Sequence, residues 1–130
     1  MILDSSALVS IALREPGWEQ LRDAIGFDAN PAVGSPTLVE TAMVLAGRTG
    51  APARTIVARL LQDGEIEVIP FDAEHWPVAL DAFNRYGRGR HPAALNLGDC
   101  LTYATARLAG EPLLCLGNDF AQTDLDLVPL

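Results

Sequence analysis

The chain contains no lysine, and its nine basic residues are all arginine. That absence excludes every chemistry that depends on a lysine ammonium or amine, including P-loop nucleotide hydrolysis, Schiff-base catalysis and phospho-acceptor receiver domains. Long hydrophobic runs are missing too. No stretch of about 18 apolar residues occurs, so no transmembrane helix is expected. The first residues lack the basic segment, long apolar run and cleavage site of a signal peptide, so a cytoplasmic location is expected. Cysteine is scarce: Cys100 and Cys115 stand in apolar surroundings and read as small buried side chains rather than a disulfide. No Cys/His cluster has zinc-ligand spacing. Positive charge is outweighed, and a net charge of −8 argues against coating nucleic acid by bulk electrostatics.

What is present suits one domain over residues 1–130. Apolar residues make up 49% of the chain, enough for a substantial core. Met1 to Leu3 reads as a buried strand ending at Asp4, with Ser6 capping a helix to about Leu13. Trp18, Leu21 and Ile25 recur at helical spacing and are assigned to the core. Ala32 to Gly34 reads as a second strand. Ser35 and Pro36 start a helix to about Thr49, since proline suits the first helical position. Residues Ala51 to Asp63 read as a further helix with Ile56, Leu60 and Leu61 inward, and "IEVIP" as a strand. "DAEHWPVALDAFNRYG" reads as a helix capped by Asp72. "NLGDCLTYATARLAG" reads as another, with Leu97, Leu101, Ala104 and Leu108 on its inner face and Gly110 closing it. "PLLCLG" is an apolar strand, and "LDLVPL" supplies a last short one. Short buried strands separated by helices imply a three-layer α/β/α domain around a mostly parallel sheet of four to five strands. Such folds bind ligands beyond the carboxyl ends of their strands.

Four carboxylates fall where that rule puts chemistry. Asp4 and Asp119 end strands; Glu40 and Asp99 lie near the starts of helices. Each has a bland alternative. Asp4 suits a helix N-cap, Asp99 is the third residue after an Asn96 cap, and Asp119 fits an ordinary turn, with Asp124 a weaker competitor. Glu40 sits too deep in its helix for a capping box with Thr37. Its apolar neighbours leave it half-buried, so it needs a partner. With no lysine, that partner is a metal or an arginine. A shared divalent cation accounts for all four together, because clustered buried carboxylates otherwise repel one another. Mg2+ and Mn2+ take hard oxygen ligands and leave room for water and phosphate. Such a site suits phosphodiester hydrolysis.

These segments resemble a known family. "MILDSSAL", "SPTLVETAMVL", "RYGRGRHPAALNLGDCLTYATARLAGEPLL" and "LGNDFAQTDL", in this order, are similar to the PIN-domain ribonucleases, specifically the VapC toxins of type II toxin–antitoxin pairs. The resemblance implies a PIN-like (Rossmann-like) fold with Asp4, Glu40, Asp99 and Asp119 as the acidic, metal-holding catalytic quartet. It implies Ser6 as the hydroxyl touching the acidic site and Asn118 as the polar residue flanking the fourth acid. Many members carry a threonine before that Asn-Asp pair, where this chain has Gly117. The family cuts RNA, often tRNA or rRNA, with Mg2+ or Mn2+. Its members commonly form homodimers, and larger complexes such as heterotetramers with a VapB antitoxin whose C-terminal segment covers the site. Residues 5–25 and 36–62 carry helical faces suited to an antitoxin groove.

Arg85, Arg88 and Arg90 crowd into "NRYGRGRHP" and suit a phosphate grip beside the site, against the simpler reading of a solvated turn. Tyr86 and Tyr103 read as core rather than base-stacking residues. Two rival functions are weighed. A haloacid-dehalogenase-type phosphotransferase needs an aspartate where Ser6 stands and a downstream lysine, and neither is present. A catalytically silent PIN-fold domain that only binds RNA or protein is opposed by acids at all four positions.

Overall fold

The strands β1 (Ile2–Leu3), β2 (Ala32–Gly34) and β4 (Leu113–Leu114) are buried throughout their two or three residues, while β3 (Glu67–Ile69) is largely exposed. In the computed structural model, which describes residues 1–130, they form one parallel sheet in the order β3-β2-β1-β4. Side chains alternate across it, as the two-residue repeat of a strand requires. Ile2, Ala32 and Leu113 face α5 (His75–Tyr86) and α6 (Leu97–Ala109), where Tyr86, Tyr103 and Leu95 complete the cluster. Leu3, Val33 and Leu114 face the other way, onto Leu8 of α1 (Ser5–Leu13) and Leu21 and Ile25 of α2 (Trp18–Phe27). A third cluster of Val9, Leu45, Ala53 and Val57 joins α1 to α3 (Ser35–Thr49) and α4 (Arg54–Asp63).

The strand order creates the crevice. From β1 the chain crosses to β2 and then β3 on one side, and after α5 and α6 it returns to β4 on the other. The direction of winding therefore reverses between β1 and β4. In open α/β sheets the ligand crevice forms at such a reversal, beyond the carboxyl ends of the strands. Asp4 follows β1 directly, and its amide donates to Leu114 O at 3.0 Å.

Several sequence expectations need correction. Asp4, not Ser6, is the N-cap of α1: its extended backbone and short carboxylate let it accept from the Ser6 amide. Helix α4 begins at Arg54 rather than Ala51, since Pro52 interrupts the approach. Its buried residue is Val57, while Ile56, Leu60 and Leu61 are only partly covered. The residue at the cap position of α5 is Glu74; Asp72 stands earlier, where its carboxylate accepts from the Glu74 amide at 2.9 Å. On α6 the inner face is Cys100, Thr102, Tyr103, Ala104, Thr105 and Ala106, whereas Leu97 is 77% exposed and Leu108 42%. Apolarity misled there because this helix packs closely against α3 and α5 with small and hydroxyl-bearing residues. Trp18 is half-exposed, lying between the guanidinium groups of Arg14 and Arg22. The tail makes a single bridge, Leu127 to Leu113, and no strand.

Candidate active site

Four separate elements deliver the four carboxylates. Asp4, at the end of β1, is only 5% exposed. Its Oδ2 accepts from the Ser6 amide at 3.1 Å and the Ser6 hydroxyl at 2.6 Å. Ser6 Oγ in turn accepts from the Leu116 amide at 3.0 Å, tying the start of α1 to the segment after β4. One hydroxyl thus spans the crevice beside Asp4.

Asp99 occupies the first turn of α6. Its Oδ2 accepts from the Asn96 amide at 3.1 Å, while its own amide donates to Asn96 Oδ1 at 2.9 Å. This reciprocal capping box fixes the carboxylate at the mouth of the crevice, so capping and site placement coexist in one residue. Glu40 is half-buried in α3. Its carboxylate lies directly against Gly98, where a Cβ would collide with it. That seats Glu40 beside the amino end of α6, whose dipole favours negative charge. Asp119 is exposed at the start of the single 3-10 turn Phe120–Gln122, with exposed Asn118 beside it.

The electrostatics join the four. Burial pushes the Asp99 carboxyl up to about 6, helped by the charges of Asp4, Asp119 and Glu40 and opposed by the Asn96 amide. No arginine pairs with any of the four; every ion pair in the molecule involves other acids. A group of hard oxygen donors that repel one another and lack a cation has the donor chemistry of a Mg2+ or Mn2+ site. No three acids, histidines or cysteines form a ready-made cage around one point. Mg2+ tolerates that openness because it usually retains several waters and takes only one or two carboxylates.

Cys115, expected to be a small buried side chain, is a free thiol only partly buried and lies beside this cluster. Burial and the charges of Asp4, Asp119 and Asp99 push its thiol up to about 12, which favours the neutral thiol over the thiolate. Asp124 has partners away from the four acids. It accepts from Tyr103 Oη at 2.6 Å and Arg107 Nη2 at 2.8 Å, and lies 3.4 Å from Arg85 Nη1. These donors, working against its burial, hold its carboxyl below the usual range.

The three clustered arginines have different surroundings. Arg85 is engaged with Asp124 and the Tyr86 ring and hydroxyl. Arg90 lies over Phe83. Arg88 alone borders the hollow that contains Asn96 and Leu97, close to Asp99 in sequence. Tyr86 and Tyr103 are buried.

Two apolar surfaces lie outside the crevice. An open groove of about 890 Å³ runs between α1, α2 and α4, bordered by Ile11, Ile56, Leu60, Arg14, Arg22 and Arg59. A hollow of about 580 Å³ lies between α5 and the start of α6. Trp76 and Leu80 on its rim are 60% and 50% exposed.

The close approach of Gly98 to Glu40, the buried Thr37–Thr102 contact and the Ser6–Leu116 link escaped the sequence reading. Glycine inside a helical "NLGDC" was the available signal for Gly98; the others show no pattern before folding.

Comparison with known proteins supplies the last observations. The PIN domain family model matches residues 1–125. Ribonuclease VapC36 of Mycobacterium tuberculosis is 47% identical over 97% of this chain and 91% of its own length. Ribonuclease VapC of Mycolicibacterium smegmatis is 38% identical over 98% and 99%. Among solved structures, Mycobacterium tuberculosis VapC20, described as a Sarcin-Ricin loop cleaving toxin, superposes with a TM-score of 0.80 at 16% identity, covering 99% of this chain and 98% of that one. A toxin–antitoxin complex from Klebsiella pneumoniae gives 0.73 at 21% identity, covering 99% and 97%. These last two likenesses concern the fold.

Proposed function

Because the chain belongs to the PIN-domain family, among its VapC ribonucleases, we propose that it is the toxin of a toxin–antitoxin pair and a Mg2+- or Mn2+-dependent endoribonuclease. The observation that carries the reading is the convergence of Asp4, Glu40, Asp99 and Asp119 from four elements, with no protein cation to neutralise them. Structured RNA, tRNA or rRNA, is the substrate class.

Asp4, Asp99, Glu40 and Asp119 would hold the cation. When bound, it supplies Lewis acidity toward a phosphodiester and lowers the pKa of a water. The protein's own part is placement. Ser6 fixes one oxygen of Asp4, and the capping box fixes one oxygen of Asp99, leaving the other oxygens free of protein hydrogen bonds. Asn118, next to Asp119 in the chain, would make RNA backbone contacts, and so would Arg88, which borders the hollow next to Asn96 at the start of α6. A phosphate that brings a cation with it can approach this acidic crevice; a bare one is repelled.

Partners are part of the proposal. The groove between α1, α2 and α4 is offered to a VapB-type antitoxin, because half-covered Ile11, Ile56 and Leu60 are bordered by charges of both signs, Arg14 and Arg59 on one hand and Asp28, Asp63 and Glu65 on the other. That combination suits an amphipathic segment with an apolar face and mixed charged flanks. The face formed by Trp76, Leu80 and Leu97 is offered to a second copy of the chain, giving a homodimer and, with antitoxin, a heterotetramer or larger assembly. The site of action is the cytoplasm, where the RNA is; no helix is long and apolar enough to cross a membrane.

The test is cleavage of total RNA by the purified chain with Mg2+, with Mn2+ and with EDTA, followed by sequencing of the new 5′ ends. Cation-dependent cuts at defined positions support the reading; cation-independent cutting, or none, overturns it.

A further inference from the structure

Helices α3 and α6 meet along a buried seam of small and hydroxyl-bearing residues. Thr37 Oγ1 lies 3.2 Å from Thr102 Oγ1, both side chains being almost fully buried. Thr41 Oγ1 donates to Thr37 O at 2.7 Å, and Thr105 Oγ1 donates to Leu101 O at 3.1 Å. At the start of α3, a Cβ on Gly34 would come within 2.7 Å of Thr105 Oγ1. The helices approach closely because no larger side chain separates them.

The spacing along this seam is specific. Glu40 stands three residues after Thr37 on α3, and Thr102 stands three residues after Asp99 on α6. Residues three apart share one helix face. The hydroxyl pair therefore lies one turn from a site carboxylate on both helices. On the site side of that pair, Glu40 packs against Gly98.

Neither feature is needed by the fold alone. Gly98 has no left-handed backbone to accommodate, and glycine inside a helix is less favourable than alanine. What an alanine would meet there is the Glu40 carboxylate. A pair of valines would fill the volume of Thr37 and Thr102, and replacing both partners of a buried hydrogen bond by apolar groups is often nearly neutral. The hydrogen bond adds direction: it fixes the rotation and separation of the two helices next to the site.

We propose that Gly98 and the Thr37–Thr102 pair are positioning residues that set the distance between the Glu40 and Asp99 carboxylates, and through it the affinity of the site for a divalent cation. This rests on the metal-dependent reading of the site given above. The juxtaposition is Gly98 under Glu40, with the two threonines bolted one turn away.

Calorimetric titration of the purified full chain with Mn2+, alongside melting without metal, tests it. Gly98→Ala is expected to weaken Mn2+ binding by about tenfold or more, as for other groups that orient metal ligands, while the melting temperature is retained or raised. In a Glu40→Asp background, whose carboxylate is one methylene shorter, Gly98→Ala should weaken binding less. The double variant Thr37→Val/Thr102→Val should weaken Mn2+ binding with little change in melting, and Thr102→Ser should keep wild-type affinity. If Gly98→Ala fails to fold, the threonine double variant decides. Wild-type affinity in the folded Gly98→Ala chain, or in the threonine double variant when it is the deciding one, overturns the proposal while leaving the functional reading intact. A wild-type chain that binds no Mn2+ overturns both.

Discussion

Ser6 Oγ donates to Asp4 Oδ2 at 2.6 Å while accepting from the Leu116 amide at 3.0 Å. This single hydroxyl ties the first acid of the crevice to the segment that carries the last one. Ser6→Ala is expected to lose about 1.5–3 kcal/mol of stability, the range for hydrogen bonds to a charged group. RNA cleavage should fall by more than that loss explains, because both Asp4 and the 115–119 segment become free to shift. Urea denaturation with cleavage assays well below the transition separates the two effects.

Asp99 gives the pH dependence. Its carboxyl is raised to about 6 from an ordinary 3.8, so between those values the folded chain binds more protons than the unfolded one. Without divalent cation, stability should therefore fall as pH rises from about 4 to 6, by roughly 1–2 kcal/mol once partial exposure is discounted. Asp99→Asn should flatten that slope, and millimolar Mg2+ should reduce it. Cleavage in the wild type should rise across the same window as the carboxylate becomes available. Thermal melts and initial rates from pH 4 to 8 check each sign.

Most of the architecture was legible in the sequence because its cues are local. Pro36 at a helix start, Gly110 in the left-handed conformation that closes α6 and the short apolar strands each act within a few residues. Asp4 and Asp119 were legible as candidates because strand ends in such folds converge, and Glu40 and Asp99 because they lie near helix starts facing the same edge. What was not legible was the packing between elements. Leu97 and Leu108 were assigned inward on hydrophobicity, yet Thr102 and Thr105 occupy that place, because two helices in close contact exclude large side chains. Arg85 was read as a phosphate contact, and its contact with Asp124, which only folding brings about, was not legible.

Asp124 has a structural role in this account. It joins the tail to Tyr103 and Arg107 of α6 and to Arg85 of α5. Asp124→Asn is expected to lower stability by about 1 kcal/mol, in line with partly exposed ion pairs, and to leave cleavage near wild type below the melting transition. A large loss of cleavage with stability unchanged would place Asp124 in the site after all.

The two apolar surfaces separate by mutation. Ile56→Asp, in the groove between α1, α2 and α4, should abolish capture of a VapB-type antitoxin while cleavage persists. Leu80→Glu, on the α5 face, should shift the chain to a monomer in sedimentation analysis and leave antitoxin capture in place. Exchange of the two outcomes would reverse the assignment of the surfaces.

The most direct measurement is RNA cleavage by Asp4→Asn against wild type in Mg2+. Asparagine caps a helix as well as aspartate and can still accept from the Ser6 amide, so the substitution removes the charge and little else. The account predicts a fall in rate of at least about a hundredfold, as for groups acting on charge in the transition state, with melting behaviour preserved and wild-type cutting abolished by EDTA. Equal cutting by the two chains would contradict it.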